Sequence, residues 1–228
     1  IPAKQKDLFL QNGYQVEALV PGLFNGEEQG LFLGKYPISE RGIETQPDLV
    51  NDILEKAKTK QGLVSGIGLS DCTCRPLFAD DLDEAASLYR FVFDSYPFPI
   101  DDPDYLKSTM DHIVYYGIWF AGQLVAVSSA EIDYENANAE MTDFATHPDY
   151  RGKGLANFLL DRMEIDMKDR QIATLYTIAR AYSYGMNITF AKNGYVFSGT
   201  LTNNTQIFGN LESMNVWYKL LPVALESM

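Results

Sequence analysis

The stretch EMTDFATHPDYRGKGLA, residues 140–156, decides the fold class of this chain. It is typical of a strand that runs through a loop with Gly152 and Gly154 into an amphipathic helix. The first N–H groups of that helix and the positive end of its dipole meet beside glycines that let a ligand approach the backbone closely. The stretch therefore predicts a binding site for a phosphate-type anion at the start of the helix.

Composition excludes several other classes of protein. The chain has 228 residues, of which 46% are hydrophobic and 21% charged, as expected for a folded globular protein. Its formal net charge of −13 repels phosphate backbones and anionic lipids, so neither a nucleic acid nor a membrane is an expected partner. No apolar run is long enough to predict a membrane span. The first residue is Ile rather than Met, which predicts that the natural protein starts upstream.

Cysteine and histidine are too sparse to predict a disulfide framework or a metal site. Cys72 and Cys74 are separated by one residue, and only His112 and His147 could join them as ligands. We therefore expect no metal and a reducing, cytoplasmic compartment.

The order of patterns along the chain predicts two parts. A helix-like run at 48–57 is followed by Gly62, Gly66 and Gly68, which places a boundary near residue 70. Residues 1–69 are the predicted N-terminal segment, and residues 70–228 are the main domain. The domain has predicted strands at 72–77, 115–120, 124–132, 140–146, 173–179, 195–200 and 215–221, and predicted helices at 81–93, 103–114, from 154, and at 184–192. This order predicts an α/β (α+β) fold, with a mixed central sheet and helices on both faces.

The front of the chain repeats a pattern found near its end. The pattern is an aromatic residue and an Asn-Gly-Tyr triplet at identical spacing, followed by a lysine next to a tyrosine. The matched residues are Phe9, Asn12, Gly13, Tyr14 and Lys35-Tyr36 at the front, and Phe190, Asn193, Gly194, Tyr195 and Tyr218-Lys219 at the end. Two interpretations stay open: residues 1–36 are the tail of a second, incomplete copy of the same fold, or a helix, cap and hairpin of no special ancestry.

The loop at 151–156 resembles the signature of the GNAT family of N-acetyltransferases, Arg/Gln-x-x-Gly-x-Gly/Ala. Arg151, Gly154 and Ala156 match its fixed positions, and the likeness extends over about residues 70–222. By this resemblance residues 70–228 are an acetyl-CoA-dependent N-acetyltransferase domain without a metal. Under the first of the two interpretations above, a partial GNAT-like segment precedes this domain. The resemblance implies a set of residues that bind acetyl-CoA: Phe144, Ala145, Thr146, Arg151, Gly152, Lys153, Gly154, Leu155, Ala156, Ser183, Asn187 and Phe190.

The same resemblance implies a catalytic base. An ammonium group cannot attack a thioester, so a carboxylate must accept the proton of the acceptor amine. Glu140 stands where one branch of the family has its catalytic glutamate, and a solvated strand end is the alternative for this residue. Asp143 would face the other way under regular strand alternation, which makes it a weaker base and leaves it as a substrate-binding residue. His147 precedes Pro148 in a turn and is interpreted as structural.

The proton donor to the departing thiolate stays open at this point. The family often has a tyrosine for this step, and its position falls on Phe190. Phenylalanine cannot donate a proton, so Tyr184, Tyr182 or water takes the role, or the thiolate leaves unassisted. Tyr184 is the predicted catalytic residue among these.

Short segments at 13–18, 21–26, 183–187 and 212–219 also resemble the β-lysine N6-acetyltransferases. This finer resemblance implies acetyl transfer to the terminal amine of β-lysine, giving a product that serves as a compatible solute. It further implies substrate contacts from Asp143, Glu212 and Asn215, and a donor for the substrate carboxylate from among Arg75, Arg90 and Arg180.

Two alternatives to this function remain open. The acceptor is another small amine, such as lysine, a polyamine or an aminoglycoside, or the chain is a catalytically silent acyl-CoA-binding module. The sequence allows a homodimer but carries no signal for one.

Overall fold

The computed structural model describes residues 1–63, 72–207 and 209–222. The predicted boundary near residue 70 and two of the glycines that suggested it, Gly66 and Gly68, lie outside these residues. Within them, no helix combines the length and the apolar character that crossing a membrane requires. The helices are α1 (Lys6–Leu10), α2 (Pro47–Lys58), α3 (Leu82–Val92), α4 (Pro103–Ser108), α5 (Leu155–Asp169) and α6 (Tyr184–Lys192). The strands are β1 (Gln15–Phe24), β2 (Glu28–Gly34), β3 (Cys72–Pro76), β4 (Ile113–Phe120), β5 (Gln123–Asp133), β6 (Asn138–Thr146), β7 (Thr174–Arg180), β8 (Val196–Ile207) and β9 (Asn210–Leu220).

Seven of these strands form one mixed sheet in the order β3-β4-β5-β6-β7-β9-β8. Its neighbouring strands are antiparallel, except that β6 and β7 run parallel. Strands β1 and β2 form a separate antiparallel hairpin. The predicted α+β fold with a mixed central sheet is confirmed.

A row of directly opposed residues defines one face of this sheet. Ile113 pairs with Glu131, Glu131 with Glu140, and Glu140 with Tyr176, so the four side chains lie on the same side. Ile113 packs with α3 and α4, whereas Tyr176 packs against the hairpin β1–β2. We call this side the α3 face. Glu131 and Glu140 therefore lie between its two covering layers.

The opposite side, which we call the α5 face, buries the apolar stripe of α5. The stripe consists of Leu155, Leu159, Met163 and Met167, all buried. Each such side chain contributes about 1.5–3 kcal/mol by leaving water. Residues of α2 join the same core: Val50, Leu54 and Ala57. The N-terminal segment therefore shares the hydrophobic core of the main domain.

The front helix, cap and hairpin make the same contacts as α6, its cap and the hairpin β8–β9. In both units the glycine after the helix has a positive φ, and the tyrosine N–H donates to the phenylalanine carbonyl. An edge-to-face aromatic pair and a lysine over the tyrosine ring also recur. The ring centroids of Phe9–Tyr14 and Phe190–Tyr195 are 5.4 and 5.0 Å apart, and the Nζ atoms of Lys35 and Lys219 lie 5.3 and 5.7 Å from the tyrosine rings. These contacts favour a repeated unit, whose ancestry stays a prediction.

Most element boundaries lie within two residues of the predicted ones, and two regions differ by more. The helix predicted over 103–114 ends at Ser108, because the Thr109 hydroxyl bonds to carbonyls of the preceding turn and Ile113 already pairs with β5. The closing strands form one longer hairpin that includes the polar run 202–206. This run has no alternation of apolar residues, so the sequence did not predict it as a strand. Its polar side chains bond to the N-terminal segment instead: Asn203 donates hydrogen bonds to the carbonyls of Arg41 and Ile43.

Gly199 of β8 provides a test of how the hairpin β1–β2 is docked. A Cβ at this position would lie 1.9 Å from the carbonyl oxygen of Glu17, because β1 passes directly over β8. We expect Gly199→Ala to lower the free energy of unfolding by about 1–3 kcal/mol in urea denaturation, since the hairpin must move. The matched control is Gly185→Ala, where a Cβ meets no atom within 4 Å and the helix gains propensity. Equal stability losses in the two variants would contradict this docking.

Candidate active site

A groove of about 710 Å³ opens at the start of α5. Gly154 precedes α5 with a φ of 80° and Gly152 has a φ of 76°, so the loop uses backbone conformations that favour glycine. The first N–H groups of α5 have no partner within the helix, and this end of the helix favours the binding of an anion. Arg151, Arg180 and Lys192 also line the groove, and no Asp or Glu lines it among the residues that the structure describes.

The groove brings together most of the predicted cofactor-binding residues. Those that line it are Phe144, Thr146, Arg151, Gly152, Gly154, Leu155, Ala156 and Ser183. Arg151 is held in place because its Nε–H donates to the carbonyl of Thr146 at 3.3 Å. Lys153 instead extends over the ring of Tyr150, with its Nζ 4.6 Å from the centroid. The side chain of Ala145 is buried with α3 on the other face of the sheet.

Strands β6 and β7 part beyond a short paired stretch. They pair only from Asn138 to Glu140 on β6 and from Thr174 to Tyr176 on β7. A narrow cavity of about 80 Å³, which we call the gap cavity, lies where they have separated. Phe144 and Phe190 both line it, with ring centroids 5.6 Å apart in an edge-to-face arrangement. Phe190 is therefore at the predicted place and offers no hydroxyl there.

A second cavity of about 390 Å³, which we call the hairpin cavity, lies between the hairpin β1–β2 and the α3 face. Its walls include Phe24 and Phe32 from the hairpin, and Glu131 and Tyr176 from the sheet. Its volume falls within the range that small-molecule sites have. The sequence analysis did not find this cavity, because the docking of the hairpin creates it.

The carboxylate of Glu140 connects a residue of one cavity with a residue of the other. It accepts a hydrogen bond from the backbone N–H of Ile178, which lines the gap cavity, and one from Tyr176, which lines the hairpin cavity. Burial, together with the negative charges of Glu131 and Asp143, raises the pKa of Glu140 to about 8. The alternative interpretation of Glu140 as a solvated strand end does not fit this burial.

Asp143 lies on the same side of the sheet as Glu140, so the expectation from regular alternation is wrong. Ser129 pairs with Thr142 and Val127 with Ala145, which gives β6 one extra residue in this interval. Asp143 forms this bulge with a φ of 54°. Its carboxylate accepts hydrogen bonds from the hydroxyls of Ser129 at 2.5 Å and Tyr96 at 2.6 Å, and burial raises its pKa.

Asn187 and Asn215 form a buried network on the α5 face. The side-chain amide of Asn187 donates to the carbonyls of Arg180 and Ser183 and accepts hydrogen bonds from Asn215 and Trp217. These four bonds use the full capacity of the Asn187 amide. The network therefore anchors the start of α6, and its geometry favours a structural role for both asparagines over the predicted contacts with cofactor and substrate.

The predicted catalytic Tyr184 lies away from both cavities and from the groove. Its hydroxyl donates to Asp52 of α2, and its ring contacts Lys56. Tyr182 likewise donates to Glu44 at 2.6 Å. The physical reason is that the N-terminal segment packs against α6, so that its carboxylates accept the hydrogen bonds of both tyrosine hydroxyls. The structure thus does not support Tyr184 as an acid at the gap cavity.

The remaining predicted residues have definite partners. Arg180 forms a bidentate ion pair with Glu212, at 2.8 and 2.6 Å. The charge of Glu212 is thereby neutralised, which does not favour its predicted role in substrate binding. Arg75 pairs with Asp81 and Arg90 with Asp101, and none of these four residues lines the gap cavity or the hairpin cavity. The ring of His147 stacks on Phe91, with centroids 5.0 Å apart, in accord with a structural role.

Three residues at the site were missed by the sequence analysis: Glu131, Tyr176 and Tyr96. Glu131 could have been found by counting back across the turn from Glu140, because β5 and β6 form a hairpin. Tyr176 could be found only from the register in which β6 and β7 pair. Tyr96 lies in a loop that has no periodic pattern.

Comparison with known proteins agrees with this geometry. Residues 80–195 match the Acetyltransferase (GNAT) family. The chain is 40% identical to a protein named β-lysine N(6)-acetyltransferase from Methanococcus maripaludis, in an alignment covering 96% of this chain and 80% of that protein. It is 31% identical to a protein of the same name from Methanosarcina mazei, over 96% of this chain and 89% of that protein.

Solved structures show the same fold at low sequence identity. A ribosomal-protein-alanine N-acetyltransferase from Brucella melitensis has a TM-score of 0.57 at 17% identity, covering 65% of this chain and 99% of its own. A variant of the spermidine N-acetyltransferase SpeG from Vibrio cholerae has a TM-score of 0.56 at 21% identity, covering 66% and 94%.

The family match and the two relatives show that this chain belongs to the GNAT family of acetyltransferases. Within that family it is an N-acetyltransferase. The two relatives described above, at 40% and 31% identity, both carry the name β-lysine N(6)-acetyltransferase.

Removing the charge of Arg151 should weaken binding of acetyl-CoA. Charge-assisted hydrogen bonds to phosphate contribute about 1.5–3 kcal/mol, so we expect Arg151→Gln to raise the dissociation constant about tenfold or more in calorimetry. The matched control is Lys168→Gln, the same change of charge in the last turn of α5. A similar affinity for the two variants would show that the groove does not bind the pyrophosphate.

Proposed function

We propose that this chain transfers the acetyl group of acetyl-CoA to the N6 amine of β-lysine, forming N6-acetyl-β-lysine. The observation that carries the proposal is the buried carboxylate of Glu140, bonded to one residue of the gap cavity and one of the hairpin cavity. The names of the two relatives support the choice of acceptor. We further propose that the product serves as a compatible solute in the cytoplasm, and the unpaired thiols of Cys72 and Cys74 fit a reducing compartment.

The groove fits a ligand with a pyrophosphate and an extended arm. The backbone from Gly152 to Ala156 would bind the pyrophosphate, together with Arg151, because N–H groups and positive charge converge there. The inner edge of β6 near Phe144 and Thr146 lies beyond the paired stretch and would bond to the arm as a neighbouring strand does. Acetyl-CoA supplies an acetyl carbonyl activated as a thioester.

Glu140 would act as the base. The acceptor nitrogen forms the new bond to the acetyl carbon while the bond from that carbon to sulfur breaks, and the proton of the nitrogen moves to the carboxylate of Glu140. A pKa near 8 suits this task, because the group is a stronger base than an ordinary carboxylate and still ionises near neutral pH.

The departing sulfur would take its proton from water. Phe190 has no proton to give, and Tyr182 and Tyr184 donate their hydroxyls to Glu44 and Asp52. Tyr96 lines the gap cavity, but burial and the negative charge of Asp143 raise its pKa well above the usual value, which makes it a poor acid. Water entering through the open groove is the proton source that remains.

A polyamine is the second candidate acceptor. The three carboxylates of Glu131, Glu140 and Asp143 attract a chain with several positive charges as well as they attract β-lysine. A silent acyl-CoA-binding module is the remaining alternative, and the retained base and groove argue against it.

The pH dependence should show the raised pKa of Glu140. The base form of Glu140 increases as the pH rises through about 8, so kcat/KM for β-lysine should rise through that value. Above about pH 10 it should fall again, because the acceptor loses the positive charge that the site attracts. The measurement is initial-rate kinetics across this range. An acid limb near the ordinary pKa of glutamate would exclude Glu140 as the base.

The acceptor and the base can be tested together by thiol titration of the CoA released. We expect β-lysine to be acetylated in preference to α-lysine and spermidine. Glu140→Gln should lower kcat by about 100-fold or more and should remove the acid limb, so that its activity rises toward the pKa of the amine. The matched control is Glu55→Gln, an exposed glutamate of α2.

The possible results separate the alternatives. A preference for spermidine would favour the polyamine, and measurable binding of acetyl-CoA without turnover on any amine would favour the silent module.

A further inference from the structure

Three carboxylates lie together on the α3 face without a cation from the protein. Glu131 and Glu140 are directly opposed on β5 and β6, and each of them interacts electrostatically with Asp143. Among the residues that the structure describes, no Lys or Arg forms an ion pair with any of the three. Buried charges of one sign are unfavourable unless something of the opposite sign compensates them.

Tyr89 carries a further unsatisfied polar group beside the carboxylates. Its side chain is fully buried, and its hydroxyl has no hydrogen-bond partner. The hydroxyl interacts electrostatically with Asp143, Tyr96 and Tyr115, which places it beside the same cluster. An unpaired buried hydroxyl is unfavourable, so the polar groups around Asp143 are not fully satisfied by the protein.

The two cavities divide the cluster in a way that fits an extended acceptor. Glu131 lines the hairpin cavity, Asp143 lines the gap cavity, and Glu140 connects a residue of one with a residue of the other. Opposed side chains on neighbouring strands have Cβ atoms about 5 Å apart, which is comparable with the separation of two amines joined by a four-carbon chain. An acceptor that places its reacting amine at Glu140 would therefore bring a second amine to Glu131.

We propose that Glu131 binds the second, non-reacting ammonium group of the acceptor and so selects diamino substrates over monoamines. This inference rests on the proposed function, in which Glu140 takes the proton of the reacting amine. His112 lines the same cavity and interacts electrostatically with Glu131.

The test compares two acceptors that differ only in the second amine. β-Lysine has it, and 6-aminohexanoate has the same terminal amine and carboxylate without it. The rates of the wild type, Glu131→Gln and the matched control Glu55→Gln are measured with both acceptors at a pH above the acid limb. Thermal melting of each variant checks the fold.

We expect Glu131→Gln to lower kcat/KM for β-lysine about tenfold or more, mainly through KM, because it removes a charge-assisted hydrogen bond. Its kcat/KM for 6-aminohexanoate should change by much less, so the preference for the diamino acceptor shrinks. Glu55→Gln should keep the wild-type preference.

The other outcomes overturn the inference in distinguishable ways. Equal losses for both acceptors would mean that Glu131 acts only through Glu140 or the fold, and no loss for either would mean that it does not contact the acceptor. If the wild type acetylates neither acceptor while it still binds acetyl-CoA, the proposed function fails and this inference falls with it.

Discussion

The place where β6 stops pairing with β7 determines the rest of the site. A parallel pair normally satisfies the backbone groups on the facing edges of both strands, and here that pairing ends at Glu140 and Tyr176. Beyond it, the N–H of Ile178 would have no partner, and the carboxylate of Glu140 accepts its hydrogen bond. One side chain thus completes the sheet at the point of separation and stands where an amine must lose its proton.

The N-terminal segment contributes to this site and is not an appendage. Its hairpin forms one wall of the hairpin cavity, and its helix α2 joins the core on the α5 face. Between them, Glu44 accepts hydrogen bonds from Ser213 and Tyr182, at the ends of the strands that carry the site. The acceptor side of the proposed site therefore exists only when residues from both parts of the chain are folded together.

Local signals were sufficient for some elements and not for others. The helix α6 has the predicted bounds of Tyr184 and Lys192, because its cap at Ser183 and its Asn-Gly end are encoded in adjacent residues. The loop glycines before α5 are likewise local. The bulge at Asp143 depends on how β5 aligns with β6, and that register is set by distant packing.

The orientation of the Tyr184 side chain also could not be predicted from local sequence. Its helix was predicted correctly, yet its hydroxyl bonds to Asp52 of α2, in a segment that the sequence assigned to a separate part. Side chains that act through a neighbouring element cannot be oriented from their own helix alone. For that reason the conformation of the glycine loop before α5 could be predicted from adjacent residues, whereas the arrangement of side chains on the acceptor side could not.

The distribution of charge connects binding with the proposed chemistry. The groove concentrates basic side chains in a chain with a net charge of −13, while the α3 face groups carboxylates whose pKa values are raised, that of Glu140 to about 8, so that Glu140 is largely protonated at neutral pH without a ligand. A cationic acceptor entering this cluster stabilises the ionised carboxylates and so lowers their pKa. The proposed acceptor would thereby release the proton that occupies Glu140, and its own arrival would prepare the base that its amine requires.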